Sequence, residues 1–332
     1  MRFKTFTLAA MCAVSVVVAA QERAGAPQPP APAVDTVAPD IPGVVAGGTK
    51  VQVLREGFSG TEGPIAMPDG SVIFSEIDAG RTIRIDPNDT FSTFLENTGH
   101  TTGVAFDRQG RLFAAVVPWG TTKFSIIYPE AAKKVVIDNY DGKPFGRPND
   151  LTIARNGGMY FTDSANAQPR PAEPLPLPAA FYYLPPGATK AIQLMTDVNF
   201  PNGVILSGDE KVLYLNNNGQ YLLAFDVQPD GSLTNRRNFA KYDGIRINDA
   251  GVASNSGADG ITIDAQGRVY VAASNGVQVF SSQGQHLGTI PTPRPPQNLA
   301  FAGSDKKTLY IVGRNVVSKL QMVAEGFKGR PK

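Results

Sequence analysis

The segment NDLTIARNGGMYFTD, residues 149–163, reads as an apolar strand, a polar turn and a second apolar strand. Five further segments repeat this order: EGPIAMPDGSVIFSE (62–76), TGVAFDRQGRLFAAV (102–116), NGVILSGDEKVLYLN (202–216), DGITIDAQGRVYVAA (259–273) and QNLAFAGSDKKTLYIV (297–312). The segments begin roughly 40 to 55 residues apart, the period of a four-stranded propeller blade. The sequence therefore predicts an all-β fold, a six-bladed β-propeller.

Both ends of the repeat region offer a strand that would close the ring of blades. Residues 50–56 and 317–323 are strand-like. Pairing them in one blade would remove the open sheet edge that a ring of sheets otherwise leaves. The 34 glycines and 27 prolines suit a fold with many turns. We therefore expect one propeller domain over residues 46–332.

The first 45 residues do not fit the repeat pattern. Arg2 and Lys4 precede an apolar run over residues 6–18, and Ala19-Ala20 offers small residues for cleavage before Gln21. This order predicts a signal peptide over residues 1–20, with an uncleaved anchor as the alternative. Residues 21–45 are rich in Ala and Pro and predict an extended linker. The expected location is periplasmic or secreted.

Charge and cysteine content exclude several classes of function. The chain has 31 Lys+Arg and 29 Asp+Glu, and residues 1–20 contain Arg2, Lys4 and no acid. The mature chain would therefore be neutral, which argues against nucleic acid or an anionic membrane as a partner. The single cysteine, Cys12, lies in the signal segment, so thiolate metal sites and cysteine nucleophiles are excluded.

One oxygen-bearing residue lies at the start of each first strand. These ring residues are Glu62, Thr102, Asn149, Asn202, Asp259 and Gln297. In a propeller they would share one rim of the central channel. The alternative is that such side chains only bond to neighbouring backbone, as Asn and Asp often do in turns.

The donor chemistry of this rim favours a hard cation. Glu62, Asn149, Asn202 and Asp259 provide two carboxylates and two amide oxygens, which suit Ca²⁺, or Mg²⁺ and Mn²⁺ with more water. Zn²⁺ is the least suited divalent option, because the chain has only two histidines and no cysteine outside the signal segment. We expect a divalent cation, with Ca²⁺ first.

Four short motifs in this order resemble the senescence marker protein 30 (SMP-30)/gluconolactonase/luciferin-regenerating enzyme (LRE) family: EGP (62–64), RPND (147–150), PNG (201–203) and DGI (259–261). The resemblance covers about residues 51–323. It implies a six-bladed propeller with a divalent cation, usually calcium, and a lactonase activity. It also implies site roles: Glu62, Asn202 and Asp259 as cation ligands, Asn149 as a ligand or substrate contact, Arg147 as a substrate contact and Asp150 as the acid/base.

Two carboxylates compete for the role of the base. Asp150 follows Asn149, so in a regular strand it would point to the opposite side of the pleat unless the strand start is irregular. Asp259 could act instead with one oxygen free. His100 and Thr102 lie near the expected channel mouth, and we predict both as substrate contacts. His100 could carry protons near neutral pH or be an ordinary loop histidine.

The predicted function is metal-dependent opening of a lactone by activated water, with a small molecule as substrate. One alternative is hydrolysis of another ester or of a phosphotriester on the same metal, since fold and cation do not fix the reaction. Another is a non-enzymatic propeller that binds a ligand or partner. Two insertions, residues 165–180 and 242–258, are expected either to set specificity or to elaborate the surface.

Overall fold

Each repeated segment forms the two innermost strands of one antiparallel sheet. The computed structural model describes residues 31–117, 122–165, 177–249 and 253–329. Two strands precede the first repeat: β1 (Thr36–Val37) and β2 (Lys50–Glu56). The predicted all-β propeller is confirmed.

Five blades are built from consecutive strands. Blade 1 contains β3 (Thr61–Ala66), β4 (Val72–Glu76), β5 (Arg81–Ile85) and β6 (Phe91–Leu95). Blade 2 contains β7 (Thr101–Phe106), β8 (Leu112–Val116), β9 (Lys123–Tyr128) and β10 (Lys134–Ile137). A hairpin then follows, formed by β11 (Asn139–Tyr140) and β12 (Lys143–Pro144).

The next three blades repeat this plan. Blade 3 contains β13 (Pro148–Ile153), β14 (Met159–Asp163), β15 (Ala180–Leu184) and β16 (Ile192–Met195). Blade 4 contains β17 (Val204–Leu206), β18 (Val212–Leu215), β19 (Tyr221–Val227) and β20 (Leu233–Lys241). Blade 5 contains β21 (Ile261–Ile263), β22 (Val269–Ala273), β23 (Gly276–Phe280) and β24 (His286–Ile290).

Blade 6 joins the two ends of the propeller. Its C-terminal strands are β25 (Asn298–Ala302), β26 (Thr308–Gly313) and β27 (Val316–Gln321). Strand β2 completes the sheet by pairing antiparallel with β27, so that Gln52 lies opposite Lys319 and Glu56 opposite Val316. The predicted closure of the ring by both ends is therefore confirmed.

The innermost strands form a closed ring around a channel. Each contacts the next, in the order β3, β7, β13, β17, β21, β25 and back to β3. Among the described residues, six buried apolar clusters lie one between each pair of neighbouring blades. This packing follows from strand alternation, because both faces of every inner strand meet another blade. The site is thus mounted on the most buried strands of the fold.

The boundary between the expected linker and the propeller lies earlier than residue 45. Residues 33–332 form one compact unit. Within it β1 pairs with β2, and Ala38, Ile41, Val44 and Val45 are buried in the cluster between blades 5 and 6. The composition of residues 21–45 suggested a tether, but these four apolar side chains pack on the sheets of blades 5 and 6.

Several predictions from sequence fall outside the described residues. They are the signal peptide (1–20), the first part of the linker (21–30) and most of the insertion at 165–180, of which residues 166–176 are not described. No helix in the described part of the chain is long and apolar enough to cross a membrane.

Candidate active site

The inner strands of blades 1 to 3 begin with a β-bulge at the ring residue. The register shifts between Glu62 and Ile65, between Thr101 and Val104, and between Pro148 and Leu151. A bulge places two consecutive residues against one residue of the partner strand and turns a side chain that would otherwise alternate. The start of β13 is thus irregular, which is the condition under which Asp150 can reach the same channel as Asn149.

Glycine follows the ring residue in four of the six blades because the inner strands approach closely there. A Cβ on Gly203 would overlap the carbonyl oxygen of Asp259, and one on Gly260 would overlap the side chain of Asn298. In blades 3 and 6 this position is occupied by Asp150 and Asn298. Both side chains reach across to the next blade.

Asn298 holds the carboxylate of Glu62. Its Nδ2 donates to Glu62 Oε2 at 2.9 Å, and the N–H of Gly63 donates to the same oxygen at 2.9 Å. Burial raises the pKa of Glu62, and the carboxylate of Asp150 adds to this rise. The two hydrogen bonds and the guanidinium of Arg147 oppose it. Glu62 is therefore a fixed carboxylate in a crowded acidic environment.

Asp259, in blade 5, is influenced by the same group of charges. Burial of its carboxyl and the carboxylate of Glu62 raise its pKa well above the usual range, with Asp150 adding to the rise. Arg147 lowers it, as does a side-chain hydrogen bond from Asn202. Glu62 and Asp259 are thus both influenced by Asp150 and by Arg147, so three carboxylates and one guanidinium interact at the rim.

Asn202 carries a polar atom that lacks a partner. Its side chain is buried, and among the described residues no donor bonds to its Oδ1. An unsatisfied buried oxygen costs about 1–3 kcal/mol, and such atoms in a native site call for an explanation by water or an ion. The amide of the same side chain hydrogen-bonds to the Asp259 carboxylate.

Asn149 is oriented by a serine that follows β14. Asn149 Nδ2 donates to Ser164 Oγ at 3.1 Å, and Ser164 Oγ donates to the carbonyl of Pro201 at 2.7 Å. Because Nδ2 and Oδ1 lie on opposite sides of an amide, Oδ1 of Asn149 points away from Ser164. The amide is thereby set in one orientation.

Asp150 bonds to backbone through both carboxylate oxygens. Its Oδ1 accepts from the N–H of Leu151 at 2.9 Å, and its Oδ2 accepts from the N–H of Val204 in blade 4 at 3.1 Å. The side chain is buried. Asp150 therefore joins blades 3 and 4 while its charge acts on Glu62 and Asp259.

The loop that carries Arg147 is clamped by a buried carboxylate, Asp163, at the end of β14. Its Oδ1 accepts from the N–H groups of Arg147 at 2.6 Å and Ala165 at 2.9 Å, and its Oδ2 accepts from Gly146 at 2.8 Å. Burial raises the pKa of Asp163 from 3.8 to about 6, against the effect of these three bonds. Asp163 thus positions the guanidinium that faces the carboxylates.

Replacing Asp163 by Asn should change the pH dependence of stability. Since the folded pKa of Asp163 lies above its ordinary value, its contribution to stability is greatest below pH 3.8 and is lost as pH rises through about 6. The free energy of unfolding of wild type minus that of Asp163→Asn should therefore fall between these values, by at most about 1.4 kcal/mol per pH unit. Urea unfolding at intervals across this window measures it, with Asp138→Asn at an exposed turn as control. Parallel pH profiles for wild type and Asp163→Asn would refute the assignment.

Three other ring and mouth residues make different contacts. The hydroxyl of Thr102 donates to the carbonyl of Asn149 at 2.8 Å, which links blades 2 and 3. Gln297 Oε1 accepts from the N–H of Arg314 at 2.8 Å. His100 is exposed, with its Nδ1 3.9 Å from Asp78 Oδ1, and none of the described contacts to Glu62 or Asp259 involves it. Substrate contact by His100 and Thr102 stays a prediction.

The residues present suit a divalent cation bound through oxygen. Glu62 raises the pKa of Asp259, Arg147 lowers the pKa of both carboxyls, and among the described residues the Asn202 Oδ1 has no partner. Among the described residues no three His, Cys, Asp or Glu side chains form a metal group, so a cation here would also need amide oxygens. Carboxylate and amide oxygens are ligands of Ca²⁺, Mg²⁺ or Mn²⁺ rather than Zn²⁺.

Comparison with known families covers most of the propeller. The model of the SMP-30/gluconolactonase/LRE-like region matches residues 60–314. The chain belongs to this family. The match begins just before β3 and ends just before β27, so it contains every residue of the SMP-30/gluconolactonase/LRE-like motifs at the channel rim. The resemblance inferred from the four motifs is thereby confirmed.

Individual relatives are similar over most of their length. A gluconolactonase of Zymomonas mobilis subsp. mobilis is 28% identical over 306 residues, which cover 84% of this chain and 83% of that protein. A solved gluconolactonase structure from Xanthomonas campestris is similar with a TM-score of 0.72 at 27% identity, covering 89% of this chain and 99% of that one. Regucalcin of Agrobacterium tumefaciens, described as calcium-binding, has a TM-score of 0.65 at 16% identity and covers 84% and 97%, which shows the shared fold.

Reasoning from the sequence missed four residues that support this site. They are Asp163, Ser164, Asn216 and Asn298. Asn216 is buried, donates through Nδ2 to the carbonyl of Asp259 at 2.7 Å, and accepts at Oδ1 from the hydroxyl of Tyr242 at 2.8 Å. Of these four residues, only Asn298 could have been found from the sequence, because it directly follows its ring residue, Gln297, as Asp150 follows Asn149.

Proposed function

We propose that this protein is a divalent-cation-dependent lactonase whose active site is the rim defined by Glu62, Asn202 and Asp259. The observation that carries the proposal is a pair of interacting carboxylates, Glu62 and Asp259, together with the buried amide of Asn202, whose Oδ1 has no partner among the described residues. The activity of the similar gluconolactonases supports lactones as the substrate class. Ca²⁺ is the cation that we propose.

In this proposal, different side chains bind the cation, bind the substrate and position the loop of Arg147. Glu62, Asn202 and Asp259 would hold the cation, with Asn149 as a further oxygen donor. When bound, the cation would polarise the lactone carbonyl and offset the charge that develops on its oxygen. Arg147 binds substrate oxygens through its planar set of donors, and Asp163 keeps the loop of Arg147 in place through three backbone bonds.

The hydrogen bonds favour Asp259 over Asp150 as the group that takes the proton from water. Both oxygens of Asp150 already accept from backbone N–H groups, and its side chain is buried. Asp259 is only partly buried as a residue, whereas Asp150 is 2% exposed. Asp150 then anchors the wall between blades 3 and 4.

Chelation should abolish hydrolysis and leave the fold intact. With EGTA or EDTA present we expect lactone turnover to fall at least about 100-fold and to return on addition of Ca²⁺. Circular dichroism should show the same β-sheet signal throughout, because the blades are held by apolar clusters away from the rim. The measurement is initial rate on a panel of lactones, aryl esters and phosphotriesters, with metal content checked in parallel.

Other outcomes of the same panel point to the alternatives. Full activity in a sample free of metal would refute the cation requirement. Chelator-sensitive turnover of a phosphotriester but of no lactone would indicate that the protein is a phosphotriester hydrolase. Loss of structure on chelation, without turnover on any substrate, would favour a propeller that only binds a ligand.

We also propose that the protein is exported to the periplasm or secreted. The support is the order of Arg2 and Lys4, the apolar run over residues 6–18 and the small residues before Gln21. Cell fractionation with N-terminal sequencing of the product tests this, and an uncleaved protein in the cytoplasmic fraction would refute it.

A further inference from the structure

A large cavity lies at the opposite end of the channel from the carboxylate rim. The inner strands run from the ring residues to hairpin turns, so these turns lie roughly 20 Å away at about 3.3 Å per residue. A cavity of about 740 Å³ opens there between the turns of blades 1, 2 and 6. Its walls include Met67, Phe106 and Tyr128. It has the size and apolar lining of a small-molecule site.

The C-terminal segment forms one side of this cavity. The N–H of Ala265 donates to the carbonyl of Glu325 at 2.8 Å, and the N–H of Gly326 donates to the carbonyl of Lys306 at 2.8 Å. The segment therefore crosses the turns of blades 5 and 6 and brings Lys328 to the cavity, beside the turn that carries Lys306.

Three cationic side chains line the cavity: Arg108, Lys306 and Lys328. The carboxylate of Glu325 is paired with Lys328, at 2.6 Å from Nζ to Oε1. Asp107, which also lines the cavity, is paired with Arg111, whose Nε donates to Oδ2 at 2.6 Å. Among the described residues no carboxylate pairs with Lys306 or Arg108. The cavity therefore has an excess of positive charge.

Lys306 is the most constrained of the three cations. It is partly buried, and among the described residues its Nζ donates one long hydrogen bond, 3.5 Å, to the carbonyl of Phe301. Burial, together with the charge of the nearby Lys328, lowers the pKa of Lys306 to about 8. A buried ammonium without a counter-charge is unfavourable, and an anionic ligand would restore the balance.

We propose that this cavity binds an organic anion, with Lys306 and Lys328 on its phosphate or carboxylate group and Met67, Phe106 and Tyr128 against an apolar or aromatic body. The site is separate from the carboxylate rim and does not depend on the proposed lactonase activity. The charge excess selects an anion, and the apolar walls select against a small inorganic one.

Pyridoxal 5′-phosphate is a suitable probe because it combines an aromatic body, a phosphate and an aldehyde. The neutral amine of Lys306 attacks the aldehyde carbon, water leaves to give the imine, and borohydride supplies hydride to the imine carbon to give a stable secondary amine. Peptide mass spectrometry then maps the label. Lys306 should be labelled at reagent concentrations about tenfold lower than the exposed Lys190.

Competition distinguishes the ligand classes. Phenyl phosphate and phenylacetate should each slow labelling of Lys306 at concentrations where inorganic phosphate does not, and the more effective of the two identifies the anionic group. Labelling of Lys306 no faster than that of Lys190 would overturn the proposal. So would equal protection by inorganic phosphate, because an apolar body would then contribute nothing.

Two variants at Lys306 test the site without labelling. Lys306→Met should weaken phenyl phosphate binding about tenfold or more in calorimetry, whereas Lys306→Arg, which keeps the charge, should bind within a few-fold of wild type. Lactone hydrolysis should be unchanged in both. Wild-type affinity in a folded Lys306→Met would overturn the proposal, and the arginine variant keeps the test decisive if the methionine variant does not fold. Loss of hydrolysis in Lys306→Arg would refute the separation of the two sites.

Discussion

Asp259→Asn is expected to lower kcat/KM for lactone hydrolysis about 1,000-fold or more. Removing a general base alone costs about 10²–10⁴ in rate, and the proposed role of Asp259 adds the loss of one cation ligand. The side chain keeps its volume, and Asn216 still bonds to the carbonyl of residue 259, so the local backbone should be retained. Steady-state kinetics at saturating Ca²⁺ separates the loss of chemistry from the loss of cation.

Asp150→Asn is the matched comparison, with a smaller expected effect on rate. An amide nitrogen at this position would face the N–H of Leu151 or of Val204, which both donate to the carboxylate. The loss of one such buried bond costs about 1–3 kcal/mol of stability. The value of kcat/KM should fall about tenfold, because the channel wall between blades 3 and 4 would shift slightly. A folded, cation-binding Asp150→Asn that loses as much activity as Asp259→Asn would assign the base to Asp150.

Glu62→Gln should change stability in opposite directions with and without the cation. Without it, the variant should be at least as stable as wild type, because a buried charge beside Asp150 and Asp259 is gone while a carbonyl oxygen can still accept from Asn298. With it, the variant should bind Ca²⁺ about 100-fold more weakly. At a concentration that stabilises wild type by about 2.7 kcal/mol, the variant would gain only about 0.4 kcal/mol.

Urea unfolding with EGTA or with Ca²⁺, together with calorimetric titration, provides both halves of this test. Glu96→Gln, at an exposed position outside the rim, is the control and should leave both values unchanged. A fall in stability without the cation, or unchanged affinity for Ca²⁺, would remove Glu62 from the proposed ligands.

The fold was accessible from sequence because its signal is repeated. Each inner hairpin buries both faces, so the apolar strands and the polar turn recur in the same order in all six blades, at the same offsets in five of them. The pairing of β2 with β27 could be predicted because an open ring of sheets would leave an unpaired edge strand. The early end of the linker could not be predicted from the sequence. The apolar residues at 38–45 belong to the propeller because they pack on a sheet surface that only the structure reveals.

The candidate site was accessible only in part. Glu62, Asn202 and Asp259 stand at equivalent offsets, and the structure brings their chemistry together with Arg147 and Asp150. The sequence did not reveal the register shift at the start of β13, beside Asp150, since such a shift depends on pairing with the next strand. In blade 6 the sequence pointed to Gln297, whereas its neighbour Asn298 makes the contact with Glu62.

The bond between Asn298 and Glu62 has a consequence for the newly made chain. It joins residues 236 positions apart, from the last blade to the first. A truncated chain lacking blade 6 would therefore present a loosely held Glu62, even if its first blades were folded. In the proposed cation site, copies of the chain that lack Asn298 should therefore bind the ion more weakly, and they should be both less active and more accessible to proteases.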